Sequence, residues 1–565
     1  MKKIITCLAL ILLPVILFAQ PGFSQETFTH ADTLRGSITP ERAWWDVQYY
    51  AITVKPDYAS KTLAGNTLIR FKVVQQTHTD SMQIDLQAPL VIDSILFNSR
   101  RLTFRKADTN VWRVSLPAAR KLQAVYAICV YYHGKPIEAI RPPWDGGWIW
   151  SKDSLGRPWM AATCQGLGAS AWFPCKDHQS DEPDSGASLT MIVPDTLVAV
   201  GNGRLVSKKL NRDGTATYRW AVKSPINNYD IAPYIGKYLA IPDAYPGKKG
   251  RLSVTYWVLD YNRKKALTHM VPEVHRMLKA FEYWFGPYPF YVDGYQLVDA
   301  PYLGEENQSA IAYGNGYQNG YKLGNHWIDL SGTGWGLKWD FIIVHESGHE
   351  WFGNNITSRD IADMWLHEGF TNYSETLFTE YYYGREAADE YNYGLRKRIT
   401  NKEPVITHYQ VNEEPGIDQY YKGSNLLHTI RHSMDNDEIF RNILKGLNKT
   451  FYHQTVSSKN VEDFISDHAG FNYGKVFDQY LRTVQIPVFE IYFTPGEQKV
   501  SYRWTNCIPG FDLPLVLKNG TTQIKIFPTT NWQSSRITEG QRALFNPLLV
   551  EKQYYVQAKE VPGMD

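Results

Sequence analysis

His345, Glu346 and His349 stand in the pattern H-E-x-x-H within the segment DFIIVHESGHEWFGN. The apolar residues before the motif, and Trp351 and Phe352 after it, recur at helical spacing. On a helix, residues four apart lie about 40° apart around the axis, so both imidazoles face one point. Two neutral imidazole nitrogens on one face are half of a tetrahedral zinc site, and a carboxylate beside them is placed to take a proton from water activated there. Catalytic zinc takes three protein ligands, so a third must come from elsewhere. Eighteen residues separate His349 from Glu368, which lies in MWLHEGFTNYSETLF, a second stretch of helical spacing. The short connection NNITSRD allows that helix to fold back beside the first. His345, His349 and Glu368 are therefore the predicted ligands of one zinc ion per chain, and Glu346 the predicted base. His367, one step from Glu368, points about 100° away and is expected to wall the site or support it from behind. Glu375, seven residues after Glu368, returns to the same helical face and is expected to orient His345 or His349; its alternative is a solvated helix carboxylate.

HESGHEWFGN followed by WLHEGF is similar to the gluzincin zinc aminopeptidases of the aminopeptidase N family. The similarity runs from about residue 45 to 485. PPWDGG (142–147) and WFPCKDHQSDEPDS (172–185) resemble that family's N-terminal β-domain signatures. LGEEN (303–307) resembles its amine-binding motif, usually G-x-M-E-N, and Tyr420-Tyr421-Lys422-Gly423 its Y-x-K-G motif. The resemblance implies hydrolysis of the first peptide bond of peptides with a free N-terminus, releasing single amino acids. It implies that Glu306 anchors the substrate ammonium, with Gln165 as its partner from the β domain, and that Gly304 and Glu305 line the substrate site. It further implies that Tyr420 supplies the hydroxyl that stabilises the oxyanion. On composition alone Tyr420 and Tyr421 are equivalent, and only the motif register separates them.

The amine motif departs from the family pattern. Leu303 stands at the usual first glycine and Glu305 at the usual methionine, so Glu305 is an alternative anchor. If it lines the first specificity pocket instead, it favours basic N-terminal residues. Three rival functions share the scaffold. A zinc endopeptidase would keep the metal site and differ at the amine anchor. A non-catalytic peptide- or glycan-binding protein would be expected to lack a ligand or the base, and none is missing. An epoxide-opening hydrolase has no positive sign in the sequence.

Positioning these side chains requires an α+β multidomain chain. At 565 residues, three or four domains of about 150 residues each are expected. Residues 26–239 are strand-like: YYAITVKPD, TLIRFKVV and VYAICVYYHG alternate apolar and polar residues or carry β-branched and aromatic runs. LVSKKLNRDGTATYRWAVK predicts a hairpin turning at Asp213-Gly214. Residues 240–485 open with the strand LSVTYWVLD, carry helical spacing from Lys264 to Trp284, and are dominated by helical patterns after Asp340. Strand-like segments return over 486–565. By resemblance these are a β-saddle, a thermolysin-like catalytic domain and a small C-terminal β-sandwich, with no room for the large helical C-terminal domain of many relatives.

The chain is 43% hydrophobic and 21% charged, ordinary for a globular protein. Residues 1–20 read as a signal peptide: Lys2 and Lys3 precede an apolar run, Ile4 to Ala19, that is too short to span a membrane. The expected location is therefore periplasmic or secreted, with no membrane span in the mature chain. Cleavage removes two lysines from a formal charge of +2, leaving a neutral protein with no electrostatic reason to bind nucleic acid. Cys129, Cys164, Cys175 and Cys507 remain, and pair as disulfides or stay as buried thiols. The sequence assigns no oligomeric state.

Overall fold

The computed structural model describes residues 28–76, 80–117 and 120–564, so the expected signal peptide lies outside the described residues. No helix among the described residues is long and apolar enough to cross a membrane. The four cysteines are free thiols.

The N-terminal half is β-rich. Its largest sheet has eight strands, antiparallel except where Trp45–Asp57 runs parallel to Ala187–Pro194. Side chains along Trp45–Asp57 alternate between buried and partly exposed, as a strand with one covered face requires. The predicted hairpin forms from Arg204–Leu210 and Thr215–Val222, with Gly214 at φ +76° in the turn. A second, four-stranded sheet contains Pro158–Thr163, which leads directly into Cys164 and Gln165. One apolar core joins these sheets, from Trp44 to Tyr238.

A second core begins at Ile241 and continues to Val556. Its sheet places Tyr238–Gly247, Gly250–Leu259, Tyr295–Asp299, Ile311–Tyr313 and the edge strand Gly304–Glu305 in that order. Val298, Ala300 and Tyr302, from this sheet and the loop after it, pack into the first core, so this sheet is also the seam between the two halves. Five helices pack on this sheet and on one another: α1 (Val271–Phe285), α2 (Phe341–Gly348), α3 (Trp365–Tyr383), α4 (Arg385–Leu395) and α5 (Asp418–Met434). The helical stretch predicted from Lys264 widens into a π turn at Ala266–Met270 before α1. Pro272 explains it, because its ring has no N–H to give and crowds the carbonyl four residues back.

The C-terminal strands form a four-stranded sheet (Val488–Phe493, Lys499–Thr505, Gln533–Arg536, Gln557–Glu560) beside a hairpin and two short helices. Trp504, Phe511 and Tyr554 belong to the same core as α2 to α5. Among the described residues this segment shares its core with those helices.

Candidate active site

α2 starts on Asp340, whose carboxylate accepts hydrogen bonds from the backbone N–H groups of Ile342 and Ile343. It ends sooner than the apolar spacing predicts. After His349 the chain makes a wide turn, Glu350–Asn354, broken at Phe352 and at Gly353, where φ is +133°. In a continued helix the Phe352 carbonyl would be committed along the axis to the residue four on. The break instead leaves its oxygen 3.2 Å from His349 Nδ1, with the Thr371 hydroxyl also at 3.2 Å. With Nδ1 engaged from behind, His349 presents Nε2 forward.

α3 lies against α2 and brings Glu368 to the two imidazoles. Its Oε2 is 3.6 Å from His345 Nε2 and 3.4 Å from His349 Nε2. That oxygen is buried and has no hydrogen-bond partner. A buried carboxylate oxygen left unpaired against two imidazole nitrogens is costly unless a cation joins them. Burial works to raise the Glu368 carboxyl, and the His349 and His345 imidazoles outweigh it, holding it at about 2. Donor types, separations and the orphaned oxygen all fit a zinc ion held by His345, His349 and Glu368. Glu375 sits behind them: its Oε1 is 2.7 Å from His345 Nδ1, and it accepts from Asn372 at 2.9 Å and from the Tyr391 hydroxyl at 2.6 Å. Of the two alternatives for Glu375, the structure places it in the buried, orienting position.

Glu346 projects into the same cleft, a space of about 580 Å³ also lined by Gln165, Gly304, Glu305, Glu306 and Tyr420. Burial raises its carboxyl to about 7, opposed by the two histidines. A buried carboxyl facing the two imidazoles across the cleft is placed both to accept and to return a proton. The edge strand reaches it because residue 304 is glycine. A Cβ there would lie 2.7 Å from an Ile342 methyl and 2.9 Å from Glu346 Oε1.

Glu305 and Glu306 separate completely. Glu306 Oε1 accepts a 2.5 Å hydrogen bond from the Tyr229 hydroxyl, and its Oε2 is 3.0 Å from His349 Nδ1. His367 lies on the same side. Its Nε2 accepts from the Ser358 backbone N–H at 2.8 Å, which puts the ring proton on Nδ1, 3.7 Å from Glu306. Burial opposes the charge on Glu306, and His349 beside it outweighs burial, so its carboxyl is held well below the ordinary range. Glu305 is bound to the protein instead. Its Oε1 accepts from the Thr163 hydroxyl at 2.8 Å and the Cys164 N–H at 3.2 Å, and its Oε2 from the Tyr302 hydroxyl at 3.0 Å and Asn307 at 3.2 Å. A carboxylate offers about four lone-pair sites, and these contacts fill them. The expectation that Glu305 selects basic residues is therefore corrected: it latches the edge strand to the β domain. Gln165 follows that latch and lines the cleft, its side-chain Nε2 buried and unpaired.

Tyr420 lies in the first turn of α5 with its ring 6.2 Å from that of His345, and its hydroxyl is directed at Glu368. Burial and the surrounding carboxylates raise it well above its ordinary range, so it remains a donor. Tyr421 instead packs beside the Arg398 guanidinium, 5.8 Å from its ring centre. The geometry thus separates two tyrosines that composition leaves equivalent. Lys422 Nζ is held by the Thr483 carbonyl at 2.7 Å. Gly423 meets Gly369, where a Cβ on the former would lie 2.9 Å from the latter's Cα. That contact is what lets α5 approach α3 closely enough for Tyr420 to reach Glu368. Tyr229 and Glu414, which also lines the cleft, carry no signal in the sequence that would single them out.

Residues 47–229 match the Peptidase M1 N-terminal domain, and residues 337–480 match the Peptidase family M1 domain; together they cover more than half of the chain. A leukotriene A-4 hydrolase of Xenopus laevis is 23% identical over 452 residues, 76% of this chain and 68% of that protein. Human aminopeptidase B is 25% identical over 375 residues, 62% of this chain and 54% of that protein. The leucine aminopeptidase 2 of Vanderwaltozyma polyspora is 25% identical over 394 residues, 67% of this chain and 53% of that protein. The chain thus spans about half to two thirds of the length of these curated relatives. An M1 zinc metallopeptidase from Deinococcus radiodurans shares the fold with a TM-score of 0.64 at 20% identity, covering 78% of this chain and 95% of that one.

Proposed function

Because this chain belongs to peptidase family M1, we propose that it is a zinc aminopeptidase of the aminopeptidase N type, which hydrolyses the first peptide bond of peptides with a free N-terminus. The observation that carries this reading is the place of Glu306, an anionic carboxylate 3.0 Å from the ring of His349. An ammonium held there is one residue away from a carbonyl presented to the catalytic trio.

In this reading Glu306 and Gln165 hold the ammonium, and the first residue's backbone lies along the edge strand Gly304–Glu305. Zinc, when bound by His345, His349 and Glu368, supplies Lewis-acid activation of water and polarises the peptide carbonyl. Glu346 takes the proton from the attacking water and delivers it to the leaving amine. Tyr420 donates a hydrogen bond to the carbonyl oxygen as it gains negative charge. Glu375 and the Phe352 carbonyl fix His345 and His349 from behind.

Acetylating the N-terminus of a good substrate removes the charge that Glu306 would neutralise. Its turnover is expected to fall by roughly 100-fold or more, read by product analysis of matched free and acetylated peptides. Equal rates would identify an endopeptidase. A second check concerns the edge strand. Gly304→Ala pushes on Glu346 and is expected to lower kcat on the order of 100-fold while zinc content stays at wild-type level. The segment Lys2 to Ala19 supports export to the periplasm or the medium, which N-terminal sequencing of the recovered protein would test.

A further inference from the structure

Charge is unevenly spread along the cleft. Glu306 and Glu414 stand at its β-domain end: Glu306 meets His349, and a Cβ on Gly166 would lie 2.9 Å from a Glu414 oxygen. Among the described residues that line the cleft, Arg398 is the only lysine or arginine. It ends the short turn Arg396–Arg398 that follows α4. Its Nε donates to the Leu330 carbonyl at 2.9 Å, and its guanidinium lies over the Tyr421 ring, 5.8 Å from the centre. No carboxylate among the described residues forms an ion pair with it, so the outer N–H groups of its fork have no anionic partner. Elsewhere in the molecule the partly buried guanidiniums of Arg385 and Arg431 are each matched to carboxylates.

The fold also sets the direction and distance between the two kinds of charge. Phe341, His345 and His349 follow one another along one face of α2, with 5.1 Å between successive rings. Glu306 meets the His349 end. Tyr321 meets the other end, its ring 5.1 Å from that of Phe341. Burial and the Glu346 carboxylate raise the Tyr321 hydroxyl while Arg398 works to lower it, so Tyr321 stands between the base and the guanidinium. The edge strand runs the same way, from Glu306 beside His349 back to Gly304, which packs against Ile342 and Glu346. A backbone laid along that strand from an ammonium at Glu306 therefore advances toward Phe341, Tyr321 and Arg398. The helix between Phe341 and His349 rises about 12 Å, the length of three to four extended residues. Ile328, Leu330 and Ile342 line that interval with apolar surface.

Building on the aminopeptidase reading, we infer that Arg398 is the carboxylate receptor of the cleft. Its ligand is the C-terminal carboxylate of a peptide about four residues long, or an acidic side chain at the same distance from the N-terminus. A guanidinium suits this task, because its planar fork matches a carboxylate with two parallel hydrogen bonds. Tyr421 and the Leu330 carbonyl hold the fork in place from the side and from behind. One end of the cleft then binds the ammonium and the other the carboxylate. A peptide that satisfies both is held in register, with its first bond beside Glu346.

The test compares three matched tetrapeptides: one with a free C-terminus, one with a C-terminal amide, and one amide with aspartate as its fourth residue. For wild type, kcat/KM is expected to be roughly 10-fold or more higher for the free acid than for the plain amide, with the difference in KM. A matching gain for the aspartyl amide assigns the acidic side chain as a second source of the carboxylate; a gain for the free acid alone assigns the terminus. Arg398→Gln is expected to bring the acid-to-amide ratio to about one, and Arg398→Lys to restore part of it. A purely structural role for Arg398 would slow acid and amide together and leave the ratio in place. Equal wild-type rates on all three peptides would overturn the proposal, as would an Arg398→Gln variant that keeps the wild-type ratio. Wild-type hydrolysis of leucine anilide, which has an ammonium and no carboxylate, reports on the aminopeptidase reading by itself.

Discussion

Glu346→Gln is expected to lower peptide hydrolysis by roughly 10³- to 10⁴-fold while the chain keeps its zinc and its thermal stability. Glutamine is nearly isosteric with glutamate and cannot take a proton from water. Glu346 also stands outside the ligand set: the two imidazoles and Glu368 converge on each other without it. Metal content and Tm therefore separate this outcome from a damaged site. The size of the effect follows from the proton's route, since the same carboxyl that activates water must return the proton to the leaving amine. A variant with near-normal rates would remove Glu346 from the mechanism.

Glu306→Gln is the second large effect. The ammonium it would hold is desolvated in the cleft, and removing one partner of a buried charge pair costs about 3–5 kcal/mol, or roughly 10²- to 10⁴-fold in kcat/KM. The loss is expected only for substrates with a free N-terminus, so the ratio of free to acetylated turnover collapses toward one. The substitution also removes the charge beside His349 and the acceptor of the Tyr229 hydrogen bond. Tyr229→Phe is the control: it keeps the carboxylate and should lose far less. Glu305→Gln, by contrast, should weaken the link between edge strand and β domain without changing the preference between N-terminal arginine and leucine.

The convergence of His345, His349 and Glu368 is legible because their spacing is local. H-E-x-x-H places two rings on one face of a helix whatever surrounds it, and an apolar helix eighteen residues on has few places to go but alongside. Glu375 followed from the same face of the same helix. What stayed hidden depends on contacts between distant segments or on backbone detail. Nothing in two adjacent glutamates says which one a tyrosine 77 residues earlier will bind. The edge strand turns Glu305 and Glu306 to opposite sides, and only the position of Thr163 shows that one of them faces the β domain. The early end of α2 was missed because apolar spacing continues through Trp351 and Phe352, while the Gly353 backbone turns away. The C-terminal strands were read correctly as strands, yet their alternation does not reveal that the surface they cover belongs to the catalytic helices.

The glycine contact between α3 and α5 has a consequence for how variation at this protein should be interpreted. Gly369 follows Glu368 directly, and Gly423 lies three residues beyond Tyr420, yet neither glycine has a side chain with which to touch a substrate. A methyl group at either position would meet the opposite helix at 2.9 to 3.1 Å and could be accommodated only by moving the helices apart. The two sites thus behave as one locus, at which neither can enlarge alone and a change at one removes the freedom of the other. Variants there would be scored as catalytic defects in a screen, although what they alter is the distance between two rods.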